Sequence, residues 1–488
     1  MIAPSHNTCI HPEAKPALEL VASSPATWRH HWTGTIPASV PESTAIPGSS
    51  MKISPSLLAL ALVGILGTGS ARAEDLMDML RLAVANDPTL AEADASKRAT
   101  NEGVPISRAA LLPQASATQA LTDTRGGDLD TQLGHSRQRD LSGTISQTLF
   151  NAADIASYRE AKATAEAGEQ TLQAARLDLY ERVVETYFQV LVAQDNLKTY
   201  DAYEDAYRRE YEQTRVRYEQ QLSAEVDMNQ AQAYYLSIKS QRISVINTLE
   251  NARQALMKII GRYPGTLATL REDFPMTMPE PDDADAWVAL AKEHNPGISA
   301  DRLSVRAAEH AISAARAGHL PTLSASFSYG RTGAWYTRSA SDPSYGPREA
   351  SLGLTLSVPL YSGGQTQAEV RQALAQRDGA SSALEVTQRQ AEYDVRTYYK
   401  ALQQGVAQVE AAQQAMDAAQ RSVKSMQIGY EIGTQSLTNL VVAIGTLADT
   451  QSQYSSVRHQ FVLNLLGLKR AAGVLSTNDL EEINRWLH

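Results

Sequence analysis

The 488 residues contain one cysteine, Cys9, and only five phenylalanines and five tryptophans. A chain with a lone thiol near its start has no disulfide framework to staple a fold. So few large aromatics beside long tracts of Ala, Gln, Glu and Arg favour extended helices over one compact core. Basic clusters are also missing. The net charge of -10 is spread along the chain, which excludes a surface built for nucleic acid. His135, His294, His310, His319, His459 and His488 are scattered without HExxH or paired metal spacing. Gly363 and Gly364 lack the Lys and Ser or Thr of a phosphate loop and suit a tight corner. Nothing points to an enzyme, a cofactor or a metal.

No apolar run reaches the roughly 20 residues of a membrane-crossing helix. The run from Leu57 to Leu66 sits inside residues 51–73, between Lys52 and the small residues Ala71 and Ala73. That is the pattern of a secretory signal cleaved after Ala73, leaving Glu74 as the first mature residue. Residues 1–50 then precede a complete signal. The favoured reading starts translation at Met51, and the other makes residues 1–50 a disordered extension. The mature chain would hold no thiol for a lipid.

What the sequence does have is a duplication. NDPTLAEADASKRA and RAALLPQASA in the first half are answered by HNPGISADRLSVRA and RAGHLPTLSA in the second. Pro88 pairs with Pro296 and Pro113 with Pro321, an offset of 208. The offset moves to 211 at Phe150 and Tyr361, and to 212 at Gly261 and Gly473. The expected organisation is a first repeat over 74–261, an equatorial linker over 262–283, a second repeat over 284–473 and a C-terminal equatorial segment over 474–488.

Each repeat changes period twice. Leu352, Leu354, Leu356, Val358 and Leu360 alternate with Gly353, Thr355, Ser357 and Pro359, a strand with one apolar and one polar side. Strands are expected over 114–123, 139–150, 322–332 and 350–360. Two proline-free tracts then predict helices over 152–221 and 363–431, with return helices over 225–260 and 436–472. A helix near 70 residues is about 100 Å long. Leu172, Ala175, Leu179, Val183, Thr186, Val190, Ala193 and Leu197 form a coiled-coil seam. Tyr180, Val184, Tyr187 and Leu191 make a second stripe, so this helix must be contacted on two sides.

An exported two-faced sheet is either buried as a soluble sandwich or set in lipid around water. The small hydroxylated residues of the polar side favour the second. So do aromatics at the strand ends, Phe150 and Tyr361 on one side, Trp335, Tyr336 and Tyr345 on the other. Four strands leave two edges that lipid cannot satisfy. Eight strands make a barrel filled by side chains, so twelve strands from three copies is the smallest open solution. The fold expected is a mixed one, a membrane β-barrel continued by an α-helical coiled-coil barrel. Each repeat supplies two strands and a long helical hairpin, and trimerisation completes the barrel.

GHLPTL at 318–323, ALLP at 110–113, LYSGG at 360–364, GYEIGT at 429–434 and LSTNDLEEIN at 475–484 resemble the TolC family of outer-membrane efflux and type I secretion channels. The likeness runs from about Asp75 to the C-terminus. It implies a homotrimer in outer-membrane lipid with its tunnel in the periplasm of a Gram-negative cell. It also implies a periplasmic adaptor and an inner-membrane efflux pump or ABC transporter as partners. By position it implies a periplasmic gate of Asp227, Tyr430, Gln435 and Asn439, Tyr430 bonding Asp227. Adaptor-docking tips would be Gln221, Leu222, Ser223 and Ala224, with Gly433, Thr434, Gln435 and Ser436. The chain departs from the pattern at Val226, where the family has Thr, at Gln435, where it has Arg, and at Asn439 and Val442, where aspartates can ring the constriction. Two other readings are weighed: a periplasmic adaptor, which lacks lipid-facing alternation, and a soluble coiled-coil scaffold, which leaves the strands unexplained.

Overall fold

A computed structural model describes residues 73–126, 134–334 and 345–488. Most of the signal segment, the aromatic pair Trp335 and Tyr336, and the side chains of His135 and Tyr345 lie outside the described residues. The two repeats have the same element order. The first runs α1 (Leu76–Asn86), α2 (Pro88–Ala109), β1 (Gln114–Gly126), β2 (Gly134–Phe150), α3 (Ala152–Glu219) and α4 (Glu225–Ile260). The second runs α5 (Ala284–His294), α6 (Pro296–Ala317), β3 (Thr322–Ala334), β4 (Tyr345–Ser357), α7 (Gln365–Glu431) and α8 (Leu437–Ala471), and α9 (Thr477–Asn484) follows.

Proline divides the leading helix of each repeat. Asp87 caps α2 by accepting from the Leu90 N–H, and Asn295 caps α6 by accepting from Gly297 and Ile298. Pro88 and Pro296 then take the first helical position, where no N–H is needed. At the far end, β4 stops at Ser357, short of the alternation that continues to Leu360. Pro359 has no N–H to give a ladder, and Gly363 and Gly364 turn the chain into α7 through left-handed backbone.

The four strands form one antiparallel sheet in the order β1-β2-β3-β4. In its register Ala115, Ile145, Phe327 and Leu352 lie side by side across all four strands. One residue along, Ser116, Thr144, Ser328 and Ser351 make a row of hydroxyls on the opposite face. The Ser328 and Ser351 hydroxyls are 2.7 Å apart.

The helices pack in two tiers. Beside the sheet, α2 lies along α3, α3 along α6 and α6 along α7; away from it, α4 lies along α3, α3 along α8 and α8 along α7. α3 belongs to both tiers, which is why its two stripes are buried together: Leu172, Leu179, Val183 and Val190 with Val184, Tyr187 and Leu191. The largest apolar cluster sits at the equator between the tiers. There α1, α5, α9 and the segment after Gly261 wrap the helices, and Met79, Phe274, Trp287, Leu480 and Ile483 are buried. Buried Tyr187 ties helix to wrapping by donating to the Ala268 carbonyl at 2.7 Å.

Asp87 is 4 % exposed and also accepts from both terminal nitrogens of Arg182, at 2.8 and 3.3 Å. Asp87→Ala removes a cap and strands a guanidinium that is only partly open to solvent. A loss of about 2 kcal/mol is expected, seen as a lower unfolding midpoint of the detergent-extracted protein. Asp87→Asn, which keeps a cap, should lose less.

Candidate functional site

Among the described residues no helix packs on either face of the sheet. Leu352, Leu354 and Leu356 are 80, 71 and 65 % exposed, and Leu121, Leu141, Ile145, Leu149, Phe327 and Tyr329 are exposed on the same side. A soluble sandwich would have these residues in its core. Phe150 and Tyr361 stand at the helical end of this face, Tyr361 at 90 % exposure. Among the described residues no helix is long and apolar enough to cross a membrane.

At the opposite end of the long helices, α3 turns into α4 and α7 into α8. The two turns share one backbone. Gln221 and Gly433 are left-handed, with φ of 62° and 77°. The Gln221 N–H reaches the Tyr218 carbonyl and the Leu222 N–H that of Arg217; Gly433 and Thr434 reach Tyr430 and Gly429 in the same way. These are Schellman closures, which favour glycine in the left-handed place. Gln221 is the one non-glycine residue with positive φ among the described residues. The caps that follow differ. Ser436 accepts from the Asn439 N–H, whereas Ala224 provides no side-chain cap, and the Ser223 hydroxyl donates to Asp227 at 3.1 Å.

Within one chain, Asp227 and Tyr430 take different partners. Tyr430 lies close enough to Glu210 of α3 to influence its carboxyl, and the Arg217 guanidinium lies 5.5 Å from the Tyr430 ring centre. Burial is the main influence on Glu210 and raises its carboxyl above the usual range; Tyr430, Thr214 and the nearby Arg217 partly oppose that, and Glu431 adds to it. Tyr430 also packs on the apolar cluster of Tyr203, Tyr207, Leu437, Leu440 and Val441, which binds α3 to α8. Asn439 donates to Gln435 along α8 at 3.0 Å. Gln230 of α4 donates to Thr438 of α8 at 3.2 Å. Val226 and Val442 are exposed.

Glu210 and Arg217 were not among the sequence candidates. Their spacing with Thr214, four and three residues apart, puts all three on one helix face, but nothing in the spacing names Tyr430 as their partner. His459, a candidate for nothing, is buried against Phe188 with its ring held by the Ser455 carbonyl; burial lowers its pKa. Among the described residues no three His, Cys, Asp or Glu side chains gather as for a metal.

The family model described as outer membrane efflux protein matches residues 79–262 and 287–474, one block on each repeat. The chain belongs to the outer membrane efflux protein family. It is 31 % identical to outer membrane protein TolC of Vibrio cholerae over 88 % of this chain and 98 % of that one. It is 27 % identical to the proteases secretion protein PrtF of Dickeya chrysanthemi, over 88 % and 94 %. The Campylobacter jejuni CmeC outer membrane channel has the same fold, with a TM-score of 0.71 at 17 % identity over 92 % of this chain and 98 % of that one. As a member of this family the protein is an outer-membrane channel whose helices reach into the periplasm, and a passive duct without catalysis of its own. Its sheet is the transmembrane part.

Left-handed backbone costs a residue with a Cβ about 1–2 kcal/mol. Gly433→Ala is therefore expected to loosen the second tip and Gln221→Gly to tighten the first. Hydrogen exchange of the Thr434 and Leu222 amides should speed up and slow down respectively; equal rates in wild type and variants would contradict this.

Proposed function

We propose that three copies of this chain close a twelve-stranded barrel and a continuous helical tunnel, forming the exit duct of tripartite efflux and of type I protein secretion. The observation that carries the reading is the alignment of open flanks. The sheet has free edges at β1 and β4; in the helical tiers the outer members are α2 and α4 on one side and α7 on the other. α2 buries none of its 22 residues, and α4 leaves Leu236, Ile243 and Ile246 exposed. α7 leaves Val386 and Tyr393 exposed on its own flank. Unlike flanks on opposite sides make a head-to-tail contact, which closes into a ring. Three is the copy number that gives a lumen wider than the side chains of the wall.

Secretion is proposed because the PrtF relative carries that function in its name. A passive tunnel needs an energised inner-membrane efflux pump or ABC transporter and a periplasmic adaptor. The adaptor is assigned to the tips, Gln221 to Ala224 and Gly433 to Ser436, whose exposed Leu222 and Ile432 give each tip one apolar knob. Glu74 supports cleavage after Ala73, since the Glu74 N–H donates to the Thr266 carbonyl and its carboxylate binds Arg262.

The mature chain lacks cysteine, so engineered thiols report alone. Single-chain pairs on the two edge strands, such as Thr118→Cys with Ser351→Cys scanned along β4, should give an oxidised ladder of one, two and three chains. A ladder that stops at two or passes three would refute the ring.

The gate is assigned to Tyr430 with Asp227, Gln435 and Asn439 at the tips, closed in this conformation by the contact of Tyr430 with Glu210. If opening draws α7 and α8 away from α3, Glu210 regains water and its ordinary pKa. The closed form then binds the proton more tightly. Closure is favoured below the ordinary carboxylate value and that advantage fades as pH rises through the raised one. Channels in planar bilayers should conduct more as pH rises across this window, and Glu210→Gln should flatten the response in the closed direction. Tyr430→Phe should raise conductance at neutral pH; an unchanged trace removes Tyr430 from the gate.

A further inference from the structure

On α3, Tyr187 points into the equatorial wrapping, where its hydroxyl reaches the Ala268 carbonyl. Glu185 and Gln189 stand two residues to either side of it. At 3.6 residues per turn they lie about 160° round the helix from Tyr187, on the face turned away from the wrapping. Val192 and Asn196 continue that face at spacings of three and four. There α3, α4 and α8 enclose a cavity of about 670 Å³. Among the described residues, none of α1, α5, α9 or the segment after Gly261 lines it. The wrapping and the cavity are therefore on opposite sides of the helical wall. In a ring of such walls a wrapping of that bulk has room outside, and inside it would fill the passage. The cavity then opens on the passage.

Its floor is apolar. Val184, Phe188 and Ala193 of α3 meet Leu466 of α8 there, all buried in the equatorial cluster, and Ala252 of α4 and Leu463 of α8 pack against them, partly buried. The rim is polar, made of Gln189, Asn196, Thr248, Asn251, Gln460 and Asn464. A concavity of a few hundred Å³ with an apolar floor and a few placed polar groups is the form that small-molecule sites take.

The charges say which small molecule. Two carboxylates line the cavity, Glu181 and Glu185, and no lysine or arginine does. Glu181 is matched, since the Arg470 Nε lies 2.8 Å from it. Glu185 is exposed, accepts from the Gln189 amide at 3.1 Å and has no basic partner among the described residues. His459 adds no positive charge, because burial lowers its pKa. The Asn196 Oδ1 is buried and has no donor among the described residues. A buried acceptor without a donor is a cost that the N–H of a ligand can remove. The lining therefore suits an apolar body that carries a positive charge and N–H donors. A protonated amine on an apolar frame has all three.

We propose that this cavity is a wall site for amphiphilic organic cations. Glu185 holds the ammonium, Asn196 accepts one of its N–H groups, and the apolar frame rests on the floor of Phe188, Leu463 and Leu466. Each chain has one such site, so cargo of this class is retained on the wall midway along the tunnel. The proposal rests on the exit-duct reading for the side of the wall that the cavity faces, and it does not depend on the gate.

Calorimetric titration of the assembled channel in lipid nanodiscs tests it. The probe is 4-phenylbutylammonium, its neutral isostere is 4-phenylbutan-1-ol, and empty nanodiscs are the blank; conductance of the same preparation in planar bilayers reports on the duct. The amine should bind at neutral pH, and the alcohol at least tenfold more weakly. Glu185→Gln should weaken amine binding at least tenfold and leave the alcohol unchanged. Asn196→Leu, which removes the acceptor without adding charge, should cost the amine several-fold. Asp227→Asn at the tips should leave amine binding unchanged. Wild-type affinity in Glu185→Gln, equal binding of amine and alcohol, or loss of binding in Asp227→Asn alone would overturn the wall site. Conductance without amine binding sinks the site and leaves the duct; amine binding lost in Glu185→Gln, in a preparation that does not conduct, sinks the duct and leaves the site.

Discussion

Backbone N–H and C=O groups in hydrocarbon must find partners within the protein, and each one left over costs several kcal/mol. β1 and β4 face that demand directly, because the sheet runs from one to the other without closing. Among the described residues no helix packs along either edge. The sheet also cannot hide by folding onto the helices, since its apolar face would have to leave the row of Ile145, Phe327 and Leu352 for a polar environment. Pairing edge to edge with further copies is the arrangement that satisfies backbone and side chains together. Everything below the sheet inherits the same demand, for α3 and α7 leave β2 and β4 through short corners and keep their lateral order.

The helical part meets a different physical problem. A helix about 100 Å long cannot be held by one hydrophobic centre. Here the cohesion is distributed. Beside the sheet, alanines such as Ala156, Ala163, Ala300 and Ala307 are buried and let backbones approach. At the equator the large side chains gather, with Tyr187, Phe188 and Phe461 fully buried. Near the tips tyrosines take over, Tyr203 and Tyr207 binding α3 to α8, the second by donating to the Val441 carbonyl at 3.0 Å. The equatorial wrapping also joins the start of α1 to the end of α9, since Asn484 accepts from the Leu76 N–H and donates to Asp75.

The strands were legible because a period of two cannot be mistaken when Leu or Val alternates with small or polar residues over nine positions, as in 352–360. Their ends were not, because alternation continues through Val358 and Leu360 after Pro359 has broken the ladder. The long helices and their glycine stops were legible from spacing alone. The helix break at Pro88 and Pro296 was not read from the sequence, where the two prolines only set the repeat, and the helix at 477–484 is too short to be seen by periodicity. At the tips, the left-handed turn at Gly433 could be read from its glycine, whereas Gln221 has the same backbone without the residue that announces it. The partner of Tyr430 was out of reach, since Glu210 lies 220 residues away and only the packing of α7 on the neighbouring helices brings them together.

The missing acids at the tips change what kind of gate this proposal describes. Where carboxylates ring a constriction, copies placed around an axis repel one another and attract cations, so charge acts across the lumen. In this chain Asn439 is neutral and already bonded to Gln435 of the turn before its helix, and Val226 and Val442 offer no charge at all. The charged groups near Tyr430, namely Glu210 and Arg217 of α3 and Glu431 of α7, act inside one chain rather than across the axis. Closure then depends on how firmly α7 and α8 lie on α3. A partner that pries a single hairpin outward at its tip works against hydrogen bonds and tyrosine packing, and the ring opens chain by chain without an ion having to leave.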